Sequence, residues 1–105
     1  MEKLHYEFDG RRRVPNPQDH VLVGVVASGN LEVMMEPAEL DGRMRVEVTT
    51  AARGFGDIWR VVLRDFSERH PLADVRVSIN DVGATPAVVS LRLDQAAEAF
   101  EGDGP

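Results

Sequence analysis

Polar and apolar residues alternate along four stretches of this chain of 105 residues, a fifth is almost wholly apolar, and a longer period takes over in two others. Leu4, Tyr6 and Phe8 alternate with Lys3, His5 and Glu7, the pattern of a strand with one buried face. "DGRRRVPNPQD" then breaks regular structure with two prolines and a cluster of turn formers. Val21 to Ala27 is almost wholly apolar and predicts a central strand. Leu31, Val33 and Met35 alternate with Glu32, Met34 and Glu36, which predicts its hairpin partner. After a turn at "PAELDGR", Met44, Val46 and Val48 alternate with Arg43, Arg45, Glu47 and Thr49. From about Asp57 to Arg69, Trp59, Val62, Leu63 and Phe66 share one helical face, and His70-Pro71 ends the helix. Val75, Val77 and Ile79 alternate with Asp74, Arg76 and Ser78, and "NDVGA" predicts a turn. Thr85-Pro86 has the form of an N-cap followed by proline in the first helical turn. A helix from there to about Phe100 stacks Val89, Leu93, Ala96 or Ala97, and Phe100; the run Val88 to Leu93 also fits a strand. "EGDGP", residues 101–105, reads as a frayed tail.

The order is strand, hairpin, strand, helix, strand, helix. It predicts an α+β two-layer sandwich, a mostly antiparallel sheet with two helices on one face. The length fits a single domain over 1–105, with 1–18 as an N-terminal strand and loop. Within the hairpin, register decides where Ser28 points. A two-residue loop, Gly29-Asn30, would put Ser28 on the side of Val26, Val33 and Met35. A three-residue loop, Ser28-Gly29-Asn30, pairs Ala27 with Leu31 and Val25 with Val33. One face then becomes Val21, Val23, Val25, Ala27, Leu31, Val33 and Met35, wholly apolar. A one-residue slip exchanges the faces, so the cleaner segregation is expected. Glycine in the left-handed position is also common in three-residue connections. Ser28 is therefore expected to be exposed at the tip, with Ser-Gly-Asn sufficient as turn chemistry alone.

Composition narrows the chemistry. Eighteen acids against twelve bases give a formal charge of −6, which repels phosphate backbones and disfavours a nucleic-acid partner. The basic triplet Arg11 to Arg13 reads as a solvated stretch before a turn. With no cysteine there is no disulfide framework, thiolate metal site or cysteine nucleophile. "MEKLHYEFDGRRR" carries no long apolar run, neither a signal peptide nor a membrane span, so a cytoplasmic protein is expected. His5, His20 and His70 lie in unrelated segments without metal-ligand spacing. No Gly-x-Ser-x-Gly elbow surrounds Ser28. "GFGD" at Gly54 to Asp57 is too short for a phosphate loop. Glu98 and Glu101 read as solvated surface, Trp59 as a core anchor, and the Asp81 and Gly83 pair as a turn before a capped helix. Leu22, Val26 and Met34 on the second sheet face could dock a partner or be covered by the N-terminal segment. From the residues alone, the chain is a small acidic α+β domain with no self-contained active site. An exposed, unactivated serine is a poor nucleophile but a good acceptor of a group attached by another enzyme.

"VGVVASGNLEVMMEP" and "INDVGATPAVVSLRLDQAAEAF" resemble the delta subunit, or acyl carrier protein, of biotin-independent malonate decarboxylase, over about Val21 to Phe100. The serine-glycine tip, "LEV", and the "D-x-G-A-T-P" step continued by "LRL" are the distinguishing pieces. In that family the position of Asn30 is often aspartate and that of Ala27 often glycine, exchanges that keep a tight polar turn. The carrier of citrate lyase is a more distant relative. The resemblance implies that Ser28 takes a phosphoribosyl-dephospho-CoA group through a phosphodiester, attached by a dedicated transferase, with Gly29 supplying turn geometry. It also implies that the arm's thiol carries acetyl and malonyl between acyltransferase and decarboxylase subunits in malonate catabolism. The chain itself would be non-catalytic. Residues 1–105 would then form one acyl-carrier domain. A non-covalent interaction or ligand-binding module, with Ser28 a mere turn residue, is the reading from another class, and a citrate-lyase-type carrier the one from the same class.

Overall fold

The computed structural model describes residues 1–102. Seven strands and two helices follow one another as β1 (Glu2–Asp9), β2 (Arg12–Arg13), β3 (Val21–Gly24), β4 (Asn30–Pro37), β5 (Arg43–Thr50), α1 (Gly56–Arg69), β6 (Leu72–Ala73), β7 (Val75–Val82) and α2 (Pro86–Glu101). The five longer strands form one sheet in the order β1-β5-β7-β4-β3. Only the β5–β7 pair in that sheet is parallel. Both helices cover the same face, so the expected α+β sandwich is the fold. Glu101 closes α2 and Gly102 caps it. The rest of the expected frayed tail, 103–105, lies outside the described residues.

Alternation explains the sheet. In β7, Val75, Val77, Ile79 and Asp81 all point into the core, while the residues between them stay partly exposed. Met44, Val46 and Val48 of β5 and Leu31, Val33 and Met35 of β4 point the same way. They meet Trp59, Leu63 and Phe66 of α1 and Val89, Leu93, Ala96, Ala97 and Phe100 of α2. Trp59 is thus the anchor that its period predicted. In α2 the Thr85 hydroxyl accepts from the Val88 amide at 3.3 Å, and Pro86 occupies the first turn, where no donor is missed. The strand alternative for Val88 to Leu93 is thereby excluded.

Four expectations change. The hairpin's first strand stops at Gly24 instead of Ala27, and Val23 pairs with Val33 and Gly24 with Glu32. Gly24 has φ 89°, a left-handed turn of the backbone that carries the chain out of the strand and leaves Val25 55% exposed. The shift is by two residues, so Val21, Val23, Leu31, Val33 and Met35 keep the face assigned to them. Second, "NDVGA" is not all turn. β7 runs to Val82 because buried Asp81 finds partners in the Thr50 hydroxyl (2.8 Å) and the amides of Ala84 (2.9 Å) and Gly83 (3.3 Å). Third, the triplet Arg11 to Arg13 is exposed, as expected, but Arg12 and Arg13 also form a strand. They pair in parallel with Leu72 and Ala73, and their side chains reach Glu101 and Asp74. Fourth, the N-terminal segment leaves Leu22 uncovered. β1 pairs at the opposite edge of the sheet, and the Gln18 amide bonds the Phe100 carbonyl at the end of α2.

Candidate functional site

Ser28 sits in the loop Val25–Gly29, between the last residue of β3 and the first of β4. The Asn30 amide donates to the Ala27 carbonyl at 2.9 Å, which closes a four-residue turn with Ser28 and Gly29 at its centre. Gly29 has φ 74° and Ser28 is not among the residues of positive φ, the combination of a type II turn. A Cβ on Gly29 would meet nothing within 4 Å, so the glycine is required for its backbone angle and not for space. Ser28 itself is exposed.

The tip is pinned rather than loose. The Gly29 amide donates across to the Val82 carbonyl at 2.7 Å, tying the turn to the end of the central strand. The Asn30 side-chain oxygen accepts from the Leu31 amide at 2.8 Å and from Arg92 Nε at 3.3 Å, tying it to α2. Ser28 therefore stands out from a backbone held on three sides. Val25 and Val26, which precede it in the same loop, are more than half exposed and give the approach an apolar border.

The structure brings none of the three histidines to this serine. His5 lies on β1 opposite Glu47, at the far edge of the sheet. His20 precedes Val21, which pairs with Met35 at the other end of the hairpin from the tip. His70 meets Asp94 at 3.1 Å, with Arg69 on the same carboxylate at 2.9 Å, where α1 ends against α2. Glu98 is exposed, and Glu101 answers Arg12. Among the described residues no group of three His, Asp or Glu side chains is placed to hold a metal. Gly54 and Phe55 lead into α1, which opens at Gly56 and Asp57, and the Tyr6 hydroxyl donates to the Gly56 carbonyl at 2.7 Å.

A cleft of about 260 Å³ opens between α1 and the start of α2. Phe55, Ile58, Trp59, Pro86 and Val89 line it. Its one acid, Asp81, is already committed to Thr50 and the turn amides. This cleft offers apolar volume and no reactive group.

The residue readings missed Asn30 and Arg92. Asn30 was legible as turn chemistry, but its bond to a helix 62 positions later leaves no local trace. Arg92 lies one position from Leu93 of the buried stripe, on the flank of α2 that faces β3 and β4.

The family model of the malonate decarboxylase delta subunit matches residues 18–100. The chain belongs to that family. A malonate decarboxylase acyl carrier protein of Stenotrophomonas maltophilia strain R551-3 is 62% identical over 104 residues, covering 99% of this chain and 98% of its own. One from Xanthomonas euvesicatoria pv. vesicatoria strain 85-10 is 65% identical over 102 residues, 97% of each chain. Among solved structures, a chain of the Pseudomonas malonate decarboxylase hetero-tetramer in complex with malonate superposes with a TM-score of 0.80 at 39% identity. That match spans 94% of this chain and 98% of the other. The name its relatives carry, acyl carrier protein of malonate decarboxylase, fits a carrier role for this chain.

Proposed function

We propose that Ser28 is the attachment point of the carrier's prosthetic group, phosphoribosyl-dephospho-CoA, held through a phosphodiester to the serine oxygen. The observation that carries this reading is an exposed serine at the centre of a pinned type II turn, in a chain of the malonate decarboxylase acyl carrier family. When bound, the group supplies a terminal thiol on which acetyl and malonyl are held as thioesters, in a chain with no cysteine of its own. Ser28 Oγ has no imidazole at hand, so a base of the attaching transferase takes its proton as Oγ attacks the phosphorus of an activated donor and displaces that donor's leaving group. Gly29 presents a bare backbone on one side of the serine and lets that enzyme approach closely.

This subunit's contribution is tethering. It keeps the acyl group at high local concentration while the acyltransferase and decarboxylase subunits act in turn. Chemistry on the thioester, and stabilisation of the charge that develops there, belongs to those subunits. Val25 and Val26 supply apolar contact area beside the serine for enzymes that must recognise the tip. No helix among the described residues is long and apolar enough to cross a membrane. We place the carrier in the cytoplasm with its complex.

Intact mass of the subunit purified from malonate-grown cells of its own host tests the site. The native chain is expected to carry an added CoA-derived group, absent in Ser28→Ala. An unmodified native chain beside active decarboxylase overturns the reading and leaves a non-covalent module.

A further inference from the structure

Helix α2 brings a cation to the loop that carries Ser28. Arg92 Nε donates to the Asn30 side-chain oxygen at 3.3 Å, and Nη1 donates to Gln95 Oε1 at 3.0 Å. On the other flank its Cδ packs at Gly24, where a Cβ would come within 3.3 Å of it. Gly24 and Asn30 are the residues at which the loop leaves and re-enters the sheet. One half-buried arginine therefore spans the base of the loop and is held in place by both sides.

A clasp between helix and loop needs only a neutral donor, so the full charge calls for an explanation. Arg12, Arg13, Arg43, Arg45, Arg69 and Arg76 each have a carboxylate within 4 Å. Among the described residues Arg92 has none, although the chain has eighteen acids to twelve bases. Glu32, the acid nearest the loop in sequence, lies on the opposite face of the sheet, where its Oε1 accepts from Asn80. Arg11, Arg53, Arg60 and Arg64 also lack a carboxylate partner there, but only Arg92 is hydrogen-bonded to the serine loop.

We propose that Arg92 is a phosphate-binding residue of the carrier. Its guanidinium engages the phosphodiester on Ser28 and sets the direction in which the arm leaves the tip. This rests on the reading that Ser28 bears the arm. A diester carries one negative charge at neutral pH, and a guanidinium binds such oxygens through charge-assisted hydrogen bonds. The Asn30 and Gln95 bonds order the side chain beforehand, which lowers the entropy cost of that contact. The site is partly open to water, so the contact is expected to weaken with salt.

The test uses the loaded subunit from its own host and ³¹P NMR of the diester attached to Ser28. In the native protein this resonance should be displaced from its position in the urea-unfolded chain. It should move toward that position as NaCl rises to molar concentration. Arg92→Gln should place it near the unfolded position at every salt concentration, and Arg92→Lys should restore part of the displacement. A merely structural clasp predicts that Lys and Gln behave alike. A native resonance at the unfolded position, a resonance in Arg92→Gln still displaced as in the native protein, or no difference between Gln and Lys would overturn the proposal while leaving Ser28 modified. Should Arg92→Gln emerge unloaded, the salt titration of the native protein decides alone. A native chain with no added mass on Ser28 would overturn this inference and the attachment reading together.

Discussion

Two glycines bracket the serine loop, and alanine at the two should behave very differently. Both have left-handed backbone, with φ 89° at Gly24 and 74° at Gly29. At Gly29 a Cβ would meet nothing within 4 Å, so the cost is confined to the backbone angle. Holding an L-residue there costs about 1–2 kcal/mol. Roughly 0.4–1 kcal/mol of that is offset, because alanine leaves the unfolded chain less entropy to lose. A net loss of about 0.5–1 kcal/mol lowers Tm by about 2–8 °C in a domain of this size. At Gly24 the same backbone cost applies, and a Cβ would also press into the Leu31 carbonyl oxygen, closer than side-chain carbons pack. That oxygen belongs to β4, whose Leu31 is also paired with Asp81 of β7 and cannot yield easily. Relief requires the end of β3 to part from β4, giving up the register at Val23–Val33 and Gly24–Glu32. Two backbone hydrogen bonds at about 1 kcal/mol each bring the total to about 3 kcal/mol, or a Tm lower by about 10 °C or more. Thermal and urea unfolding followed by the fluorescence of Trp59, the single tryptophan and 6% exposed, would measure both variants. Equal losses, or a milder one at Gly24, would refute the reasoning.

Two further outcomes follow from groups away from the serine. Asp81→Ala strips the Thr50 hydroxyl and the Gly83 and Ala84 amides of their shared acceptor inside the protein, and should cost about 2–4 kcal/mol. Hydrogen exchange should quicken at Gly83, Ala84 and Gly29, and unchanged exchange at all three would count against the account. The Leu40 and Gly42 amides hold the Asp74 carboxyl below the usual carboxylate range, against its partial desolvation and with help from Arg13. A depressed folded value stabilises above the unfolded pKa, near about 4, and is lost as pH falls through the folded value. Urea midpoints of the native protein should thus fall below about pH 4 by more than those of Asp74→Asn, and parallel pH profiles would contradict this.

Local pattern revealed much of this molecule, for reasons visible in particular residues. Val75, Val77 and Ile79 alternate because one face of β7 is buried, and Trp59, Leu63 and Phe66 recur because one face of α1 is. Thr85 and Pro86 marked the start of α2 because capping is a local interaction. The misreadings occurred where a distant partner decides. Apolar Val25 and Val26 continued the strand pattern, but the backbone at Gly24 turns the chain away beside Leu31 and Arg92. Asn80 and Asp81 looked like turn formers, yet β4 and β5 pair with them as strand residues, and Thr50 satisfies the carboxylate. The two-residue β2–β6 pair depends on a partner 60 positions away and carries no periodicity of its own. At the site, Ser28 and Gly29 were legible as an exposed turn, whereas the hold of Val82 and Arg92 on it was not.

The place of β7 in the sheet bears on how the protein is born. β4 and β5 are consecutive in the chain, yet β7 lies between them and pairs with both. While residues 75–82 are still inside the ribosome, the emerged chain can form only two separate ribbons, β1 with β5 and β3 with β4. Each has an unpaired edge awaiting the same missing strand. The Gly29 amide likewise finds its acceptor only when Val82 arrives. The serine turn is thus among the last features to be locked, and an enzyme that recognises its finished shape would act on completed chains and pass over nascent ones.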